Sequence, residues 1–153
     1  MTGLTTHGTC VTLGRSAALI RGASGTGKSD LALRFLFLAR RGPAAIEAPR
    51  LVADDRVILS RDGAVIRAQP PPTIAGKLEV RGVGIVEVKW AAEADLVLVV
   101  DLVAPEQVER LPAFETVDIL GLPVRRLQLA PFEASAPIKL AAAIAMARTR
   151  AEF

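Results

Sequence analysis

Short apolar runs alternate with turn-forming residues along most of this chain, and only two long stretches carry a helical pattern. Residues 9–13 and 17–21 are strand-length apolar segments separated by Gly14, Arg15 and Ser16, a turn signal of hairpin length. Residues 30–39 predict a helix, with Leu31, Phe35 and Leu38 on one face and Leu33, Leu36 and Phe37 spread round another. Asp30 and Arg34 stand four apart on its polar stripe, the spacing of a helical ion pair. A helix this apolar is expected to be covered by the core and, in an assembly, by a second subunit. Its predicted stop is Arg40-Arg41-Gly42-Pro43. Residues 43–49 read as a connection and 51–55 as a buried strand ending in two acids. Residues 57–60 and 64–68 form a hairpin pattern about an Asp62-Gly63 turn, closed by a rigid extended run, Pro70 to Pro72. The apolar run 94–103 predicts a central strand buried on both faces. A short helix over 105–110 and strands at 117–120 and 122–129 follow. Pro137 opens a final helix over 138–148. The pattern predicts one α/β domain, residues 1–153, with a mixed central sheet and a C-terminal helix.

Composition narrows the class of protein. Half of the 153 residues are apolar, enough for a packed globule, and no apolar stretch reaches membrane-spanning length without interruption. The first residues lack the basic and apolar regions of a secretory leader, and one cysteine, Cys10, allows no internal disulfide. These features predict a cytoplasmic protein without a membrane partner. The net charge of +3 is mild, and the arginines are scattered without interleaved aromatics, so nucleic acid is not an expected partner.

The chemistry centres on residues 22–29. Gly22, Ala23, Ser24, Gly25, Thr26, Gly27, Lys28 and Ser29 spell a complete G-x-x-x-x-G-K-[ST] loop between a predicted strand and a predicted helix. Triphosphate oxygens need many donors at close range, and glycines let backbone N–H groups approach without an intervening Cβ. The helix N-terminus adds positive potential at the same point. Lys28 is expected at the β/γ-phosphates and the Ser29 hydroxyl on Mg²⁺, so ATP with Mg²⁺ is the expected cofactor pair.

Asp54 and Asp55 end an apolar strand downstream, where a second acid normally meets the bound Mg²⁺. Neighbours in a regular strand point to opposite faces, so one acid can hold metal while the other faces an acceptor hydroxyl and takes its proton. Glu79 and Arg81 alternate in Leu-Glu-Val-Arg, which an extended backbone would project to one face, an acid for metal beside an arginine for phosphate. A surface strand carrying an ion pair has the same spacing. His7 is the single histidine, Cys10 reads as a small core residue, and Trp90 reads as packing.

Together these blocks resemble the catalytic domain of bacterial HPr kinase/phosphorylase, the family that phosphorylates the phosphocarrier protein HPr on a serine. The matching residues are His7-Gly8, the loop Gly22 to Ser29, Leu-Val-Ala-Asp-Asp ending at Asp55, and Leu-Glu-Val-Arg-Gly-Val-Gly-Ile-Val-Glu ending at Glu87. The resemblance implies a P-loop kinase fold, ATP and Mg²⁺, and an HPr-type partner. It also implies a homo-oligomer, since the family is hexameric. It makes Asp55 the base toward serine and the acid in reverse, and Ser29 and Glu79 the Mg²⁺ positions. His7, Lys28 and Arg110 fall at active-site positions, the last in Glu-Arg-Leu. Against the family pattern three departures are expected: a chain without the family's N-terminal domain, since the sequence starts almost at His7-Gly8, a connection 43–50 longer than usual, and residues 131–137 in place of an arginine- and glycine-bearing segment linked to dephosphorylation. A segment without arginine offers fewer donors to phosphoserine, so kinase activity is expected and phosphorylase activity is not. A small-molecule kinase and a nucleotide-sensing module are the rival readings.

Overall fold

The structure, a computed structural model, describes residues 3–38 and 47–148. Its strands are β1 (Gly3–His7), β2 (Thr9–Leu13), β3 (Ser16–Arg21), β4 (Pro49–Ala53), β5 (Arg56–Asp62), β6 (Val65–Gln69), β7 (Lys77–Val80), β8 (Gly84–Glu87), β9 (Ala94–Leu102), β10 (Thr116–Ile119) and β11 (Leu122–Leu129). Its helices are α1 (Lys28–Leu36) and α2 (Ala136–Arg148). Nine strands form one mixed sheet in the order β1-β5-β6-β9-β3-β2-β4, with β11 on β9 and β10 on β11. The β9 strand is central as its apolar run predicts: it pairs in parallel with β3 on one side and with β11 on the other, and its first residues pair antiparallel with β6. The β7 and β8 strands make a separate two-stranded hairpin.

The sheet buries both faces in different ways. On one face α1 and α2 bring Leu31, Phe35, Leu140 and Ile144 onto Val11, Ile20, Leu98 and Val100. On the other, the sheet curls on itself, so that Cys10, Leu19, Val52 and Val99 meet Val57, Leu59, Ile66 and Val124. Two bulges decide which side chains reach which face. In β9 the pairing with β3 skips Val97, and Val97 and Leu98 both pack toward the helices. In β4 the pairing with β2 jumps from Leu51 to Ala53; Leu51 faces the helices while Val52 and Ala53 both face away. An extra residue resets strand alternation, so Asp54 then falls on the helix side.

Three local expectations need correction. Helix α1 begins at Lys28 and ends at Leu36, with Phe37 as its C-cap, so it stops short of residue 39; the Arg40–Pro43 stop and residues 43–46 of the long connection lie outside the described residues. Of its apolar residues, Phe37 is 71% exposed on the single chain, on the side the sequence leaves for a second subunit. Pro72 begins a 3-10 turn, Pro72–Ile74, instead of extending the proline run. The helix expected over 105–110 is only a 3-10 turn, Pro105–Gln107. One turn is too short a nucleus to propagate, and Pro112 disfavours helical backbone at Leu111. The Asp30–Arg34 pair forms as expected, at 2.9 Å.

Cys10 is fully buried between the sheet layers, and burial pushes its thiol well above the ordinary range. It is a packing residue, as its sequence position suggests.

Candidate active site

The loop 22–29 leaves the end of β3 and turns into α1, the strand–loop–helix setting the motif requires. Gly27 caps the helix with φ 102°, a left-handed conformation open to glycine at little cost. The ring of Phe132 lies so close that a Cβ on Gly27 would sit 2.8 Å from its Cζ. Lys28 is buried, and its Nζ donates to the carbonyls of Gly22 (2.7 Å) and Ala23 (3.0 Å). The ammonium thus spans the loop from inside, braced by the Thr26 hydroxyl, which donates to the Ala23 carbonyl at 2.7 Å. Ser24 and Gly25 form the outer rim.

The second half of the site meets the loop through Asp54. Its Oδ1 accepts from the hydroxyls of Ser29 (2.7 Å) and Thr9 (3.0 Å), and its Oδ2 accepts from the Glu79 N–H at 3.3 Å. Asp54 is only 8% exposed, so three donors hold a carboxylate that would otherwise be costly to bury. A hydroxyl and a carboxylate are the hard oxygen donors Mg²⁺ takes. Among the described residues no group of three or more acidic, histidine or cysteine side chains forms a protein-only metal cage.

Asp55 turns the other way. The Arg56 N–H donates to the Asp54 carbonyl at 2.8 Å, closing a three-residue turn about Asp55, whose φ is 71°. Its carbonyl accepts from Gly8 N–H at 2.9 Å, and its side chain, 68% exposed, lies 3.5 Å from His7 Nδ1. Left-handed backbone at a non-glycine residue stores strain, of order 1–3 kcal/mol, and such strain concentrates where a side chain must be presented. Gly8, between β1 and β2, lets the backbone pass close to the end of β3, since a Cβ there would stand 2.9 Å from the Ile20 carbonyl oxygen. Two contacts, His7 to Asp55 and Ser29 to Asp54, thus bring the His7 strand end and the Lys28-Ser29 helix start to the consecutive acids after β4.

Three candidates bring no side chain to that centre. Glu79 joins it through its main-chain N–H, while its side chain is exposed and has no ion pair among the described residues. The shared face of Glu79 and Arg81 does not form: β7 ends at Val80, Val83 N–H closes a turn onto the Val80 carbonyl, and Arg81 sits exposed in that turn. Arg110 is exposed on the segment after the 3-10 turn and has no ion pair among the described residues.

The sequence reading passes over Thr9, and over a group of charges at the strand ends. Arg21, just before the loop, grips Asp101 with Nε (2.7 Å) and Nη2 (3.0 Å), and Arg126 Nε reaches Asp101 Oδ2 at 2.6 Å. These bonds tie the ends of β3, β9 and β11 beneath the loop. Only spacing of 25 and 80 residues links the partners, which no local pattern reveals. Burial opposes the charge on Asp101, but hydrogen bonds from both guanidiniums outweigh it and hold the carboxyl below its ordinary value of 3.8. A depressed carboxyl contributes stability above the unfolded value, and that contribution is lost as pH falls through the folded one. Asp101→Asn is expected to cost about 2 kcal/mol at pH 7, a gap from wild type that narrows below about pH 4. Urea unfolding at pH 7 and pH 3 measures it; a gap that widened in acid would contradict the assignment.

Strand order, the G-x-x-x-x-G-K-S loop between β3 and α1 and the acids after β4 define a mixed α/β domain with a strand–loop–helix motif. Residues 2–151 match the family described as the HPr serine kinase C-terminal domain, and the chain belongs to that family. It is 39% identical over 137 residues to an HPr kinase/phosphorylase of Bordetella pertussis, covering 82% of this chain and 42% of the relative. It is 40% identical over 85 residues to an HPr kinase/phosphorylase of Lactococcus lactis, covering 55% of this chain and 25% of that one. The chain thus spans less than half the length of these curated relatives. Its fold matches the structure of the Hpr(Ser) kinase/phosphatase from Coxiella burnetii with a TM-score of 0.77 at 22% identity, covering 95% of this chain and 97% of that one. No helix among the described residues is long and apolar enough to cross a membrane.

Proposed function

We propose that residues 1–153 act as one catalytic domain, an ATP- and Mg²⁺-dependent protein-serine kinase for an HPr-type phosphocarrier of a phosphotransferase system. The observation that carries this reading is the split of the two acids: buried Asp54 bonded to Ser29 at 2.7 Å, and exposed Asp55 turned toward solvent beside His7. Ser29 and Asp54 would hold Mg²⁺, with Glu79 at the rim, and the ion would neutralise charge on the β- and γ-phosphate oxygens. Lys28 and the loop N–H groups orient the γ-phosphoryl and stabilise the charge it spreads in transfer. Asp55 accepts the proton of the carrier's serine as its oxygen bonds to the γ-phosphorus and the bridge to ADP breaks. His7 keeps the Asp55 carboxylate aimed. Arg81 and Arg110 project from exposed segments, where they can meet an acidic partner or a phosphate. By family resemblance the protein works in the cytoplasm as a homohexamer.

Purified protein given labelled ATP, Mg²⁺ and HPr-type carriers from the same cell is expected to label a carrier. Turnover of a small hydroxyl compound with no carrier labelled would favour a small-molecule kinase, and nucleotide binding with no turnover a sensing module. Residues 131–137 carry no arginine, so phosphoserine-carrier with inorganic phosphate is expected to release little pyrophosphate or free carrier. Brisk release would contradict that part of the reading.

A further inference from the structure

The strands β3, β9 and β11 run parallel, so the loop 22–29, residues 103–107 and residues 130–135 all leave the sheet at one edge. Ligands of open α/β sheets bind outside the carboxyl ends of parallel strands. Beside the loop, between the segments after β9 and β11, lies a cavity of about 500 Å³ whose walls include Leu102, Val103, Pro105, Ala130, Pro131 and Phe132. This is the size and apolar character of a small-molecule site. Thr26 also lines it, so the cavity is continuous with the phosphate loop. Phe132 is 70% exposed and its ring rests against Gly27, an unusual position for a large aromatic with no packing role. Arg34 secures it from α1: its guanidinium donates to the carbonyls of Pro131 and Glu133, on either side of Phe132, while its Nε stays on Asp30. Gln107 closes another side. Its Oε1 accepts from the Ala104 N–H at 3.1 Å, and because an N–H can only meet the oxygen, the amide presents Nε2 as a donor.

We propose that this crevice is a nucleobase subsite, with Phe132 as the stacking face for the base and Arg34 as the residue that positions it. The proposal rests on the nucleotide reading above and adds a second anchor to it. Polyphosphate bound in the loop leaves its nucleoside to be placed, and the crevice opens directly off Thr26. An aromatic face serves any base, and the Gln107 donor suits a base edge presenting an acceptor. The chain achieves this with the same segment, 131–137, that lacks arginine.

The test compares Mg²⁺–ATP with Mg²⁺–tripolyphosphate, which has the phosphates and no base, by calorimetry on the full chain. Phe132→Ala is expected to weaken ATP about tenfold and leave tripolyphosphate within about twofold. Arg34→Met is expected to follow the same split to a smaller degree, whereas a merely structural role would weaken both ligands alike. Phe132→Trp is expected to restore ATP affinity and to show a fluorescence change with ATP that tripolyphosphate does not produce. Equal losses for both ligands, or no loss for either, would overturn the subsite while the phosphate-loop reading stood. Wild-type protein binding neither ligand would overturn both.

Discussion

Asp55→Asn is expected to lower phosphoryl transfer to the carrier about a thousandfold while leaving Mg²⁺–ATP affinity within about twofold. The separation follows from geometry. Asp55 takes no part in the hydrogen bonds that hold Ser29 and Lys28, its side chain is 68% exposed and its ion-pair partner is His7 at 3.5 Å, so the nucleotide site does not depend on it. Asparagine keeps the shape and tolerates the left-handed backbone at φ 71°, but it cannot take a proton from serine. Asp55→Gly serves as the fold control: it relieves the backbone strain, so it is expected to lose transfer equally while unfolding no earlier than wild type. Single-turnover transfer with independently measured ATP binding separates the outcomes. Full transfer by Asp55→Asn would remove it as the base.

Asp54→Asn is expected to produce the opposite division. Its carboxylate lies against Ser29 at 2.7 Å, and removing its negative charge from the Mg²⁺ donor set is expected to raise the Mg²⁺ needed for half-maximal ATP binding by at least about tenfold, with transfer about a hundredfold down at fixed Mg²⁺. Tripolyphosphate binding without Mg²⁺, which relies on Lys28 and the loop N–H groups, is expected to change little. Asp54→Ala adds a stability loss of about 2–3 kcal/mol, because the Thr9 and Ser29 hydroxyls and the Glu79 N–H lose their acceptor in a buried place. Mg²⁺ titrations of ATP binding check the first effect and urea unfolding the second. An unchanged Mg²⁺ requirement in Asp54→Asn would move the metal elsewhere, with Glu79 as the next candidate.

These two acids also show how far sequence carries the account. The loop Gly22 to Ser29 is legible because its chemistry is local: the glycines, Lys28 and Ser29 are fixed by spacing along eight consecutive residues. Strands β2, β3, β9 and β11 are legible because long apolar or alternating runs between turn residues have few other uses. The opposed directions of Asp54 and Asp55 follow from strand alternation in outline, but not which acid faces the loop. Counting by twos from Leu51 on the helix side reaches Asp55; the bulge between Leu51 and Ala53 shifts the count and delivers Asp54. Bulges arise from pairing with β2 and leave no mark in β4 itself. The same limit explains Arg81, whose alternation with Glu79 ends where a turn begins, at Val80. Arg34 is legible as the partner of Asp30 four residues away, yet its hold on residues 131 and 133 spans nearly a hundred positions and exists only once α1 packs beside the end of β11.

The central claim, that this chain moves the γ-phosphoryl of ATP to a carrier serine through Asp55, is tested most directly by one assay. Wild-type and Asp55→Asn protein are mixed with labelled ATP, Mg²⁺ and an HPr-type carrier, and the labelled residue on the carrier is identified by mass spectrometry. The account predicts phosphoserine at one site with wild type and almost none with Asp55→Asn. Equal phosphoserine from both proteins, or ATP bound by wild type with the carrier's serines unmodified, would contradict it.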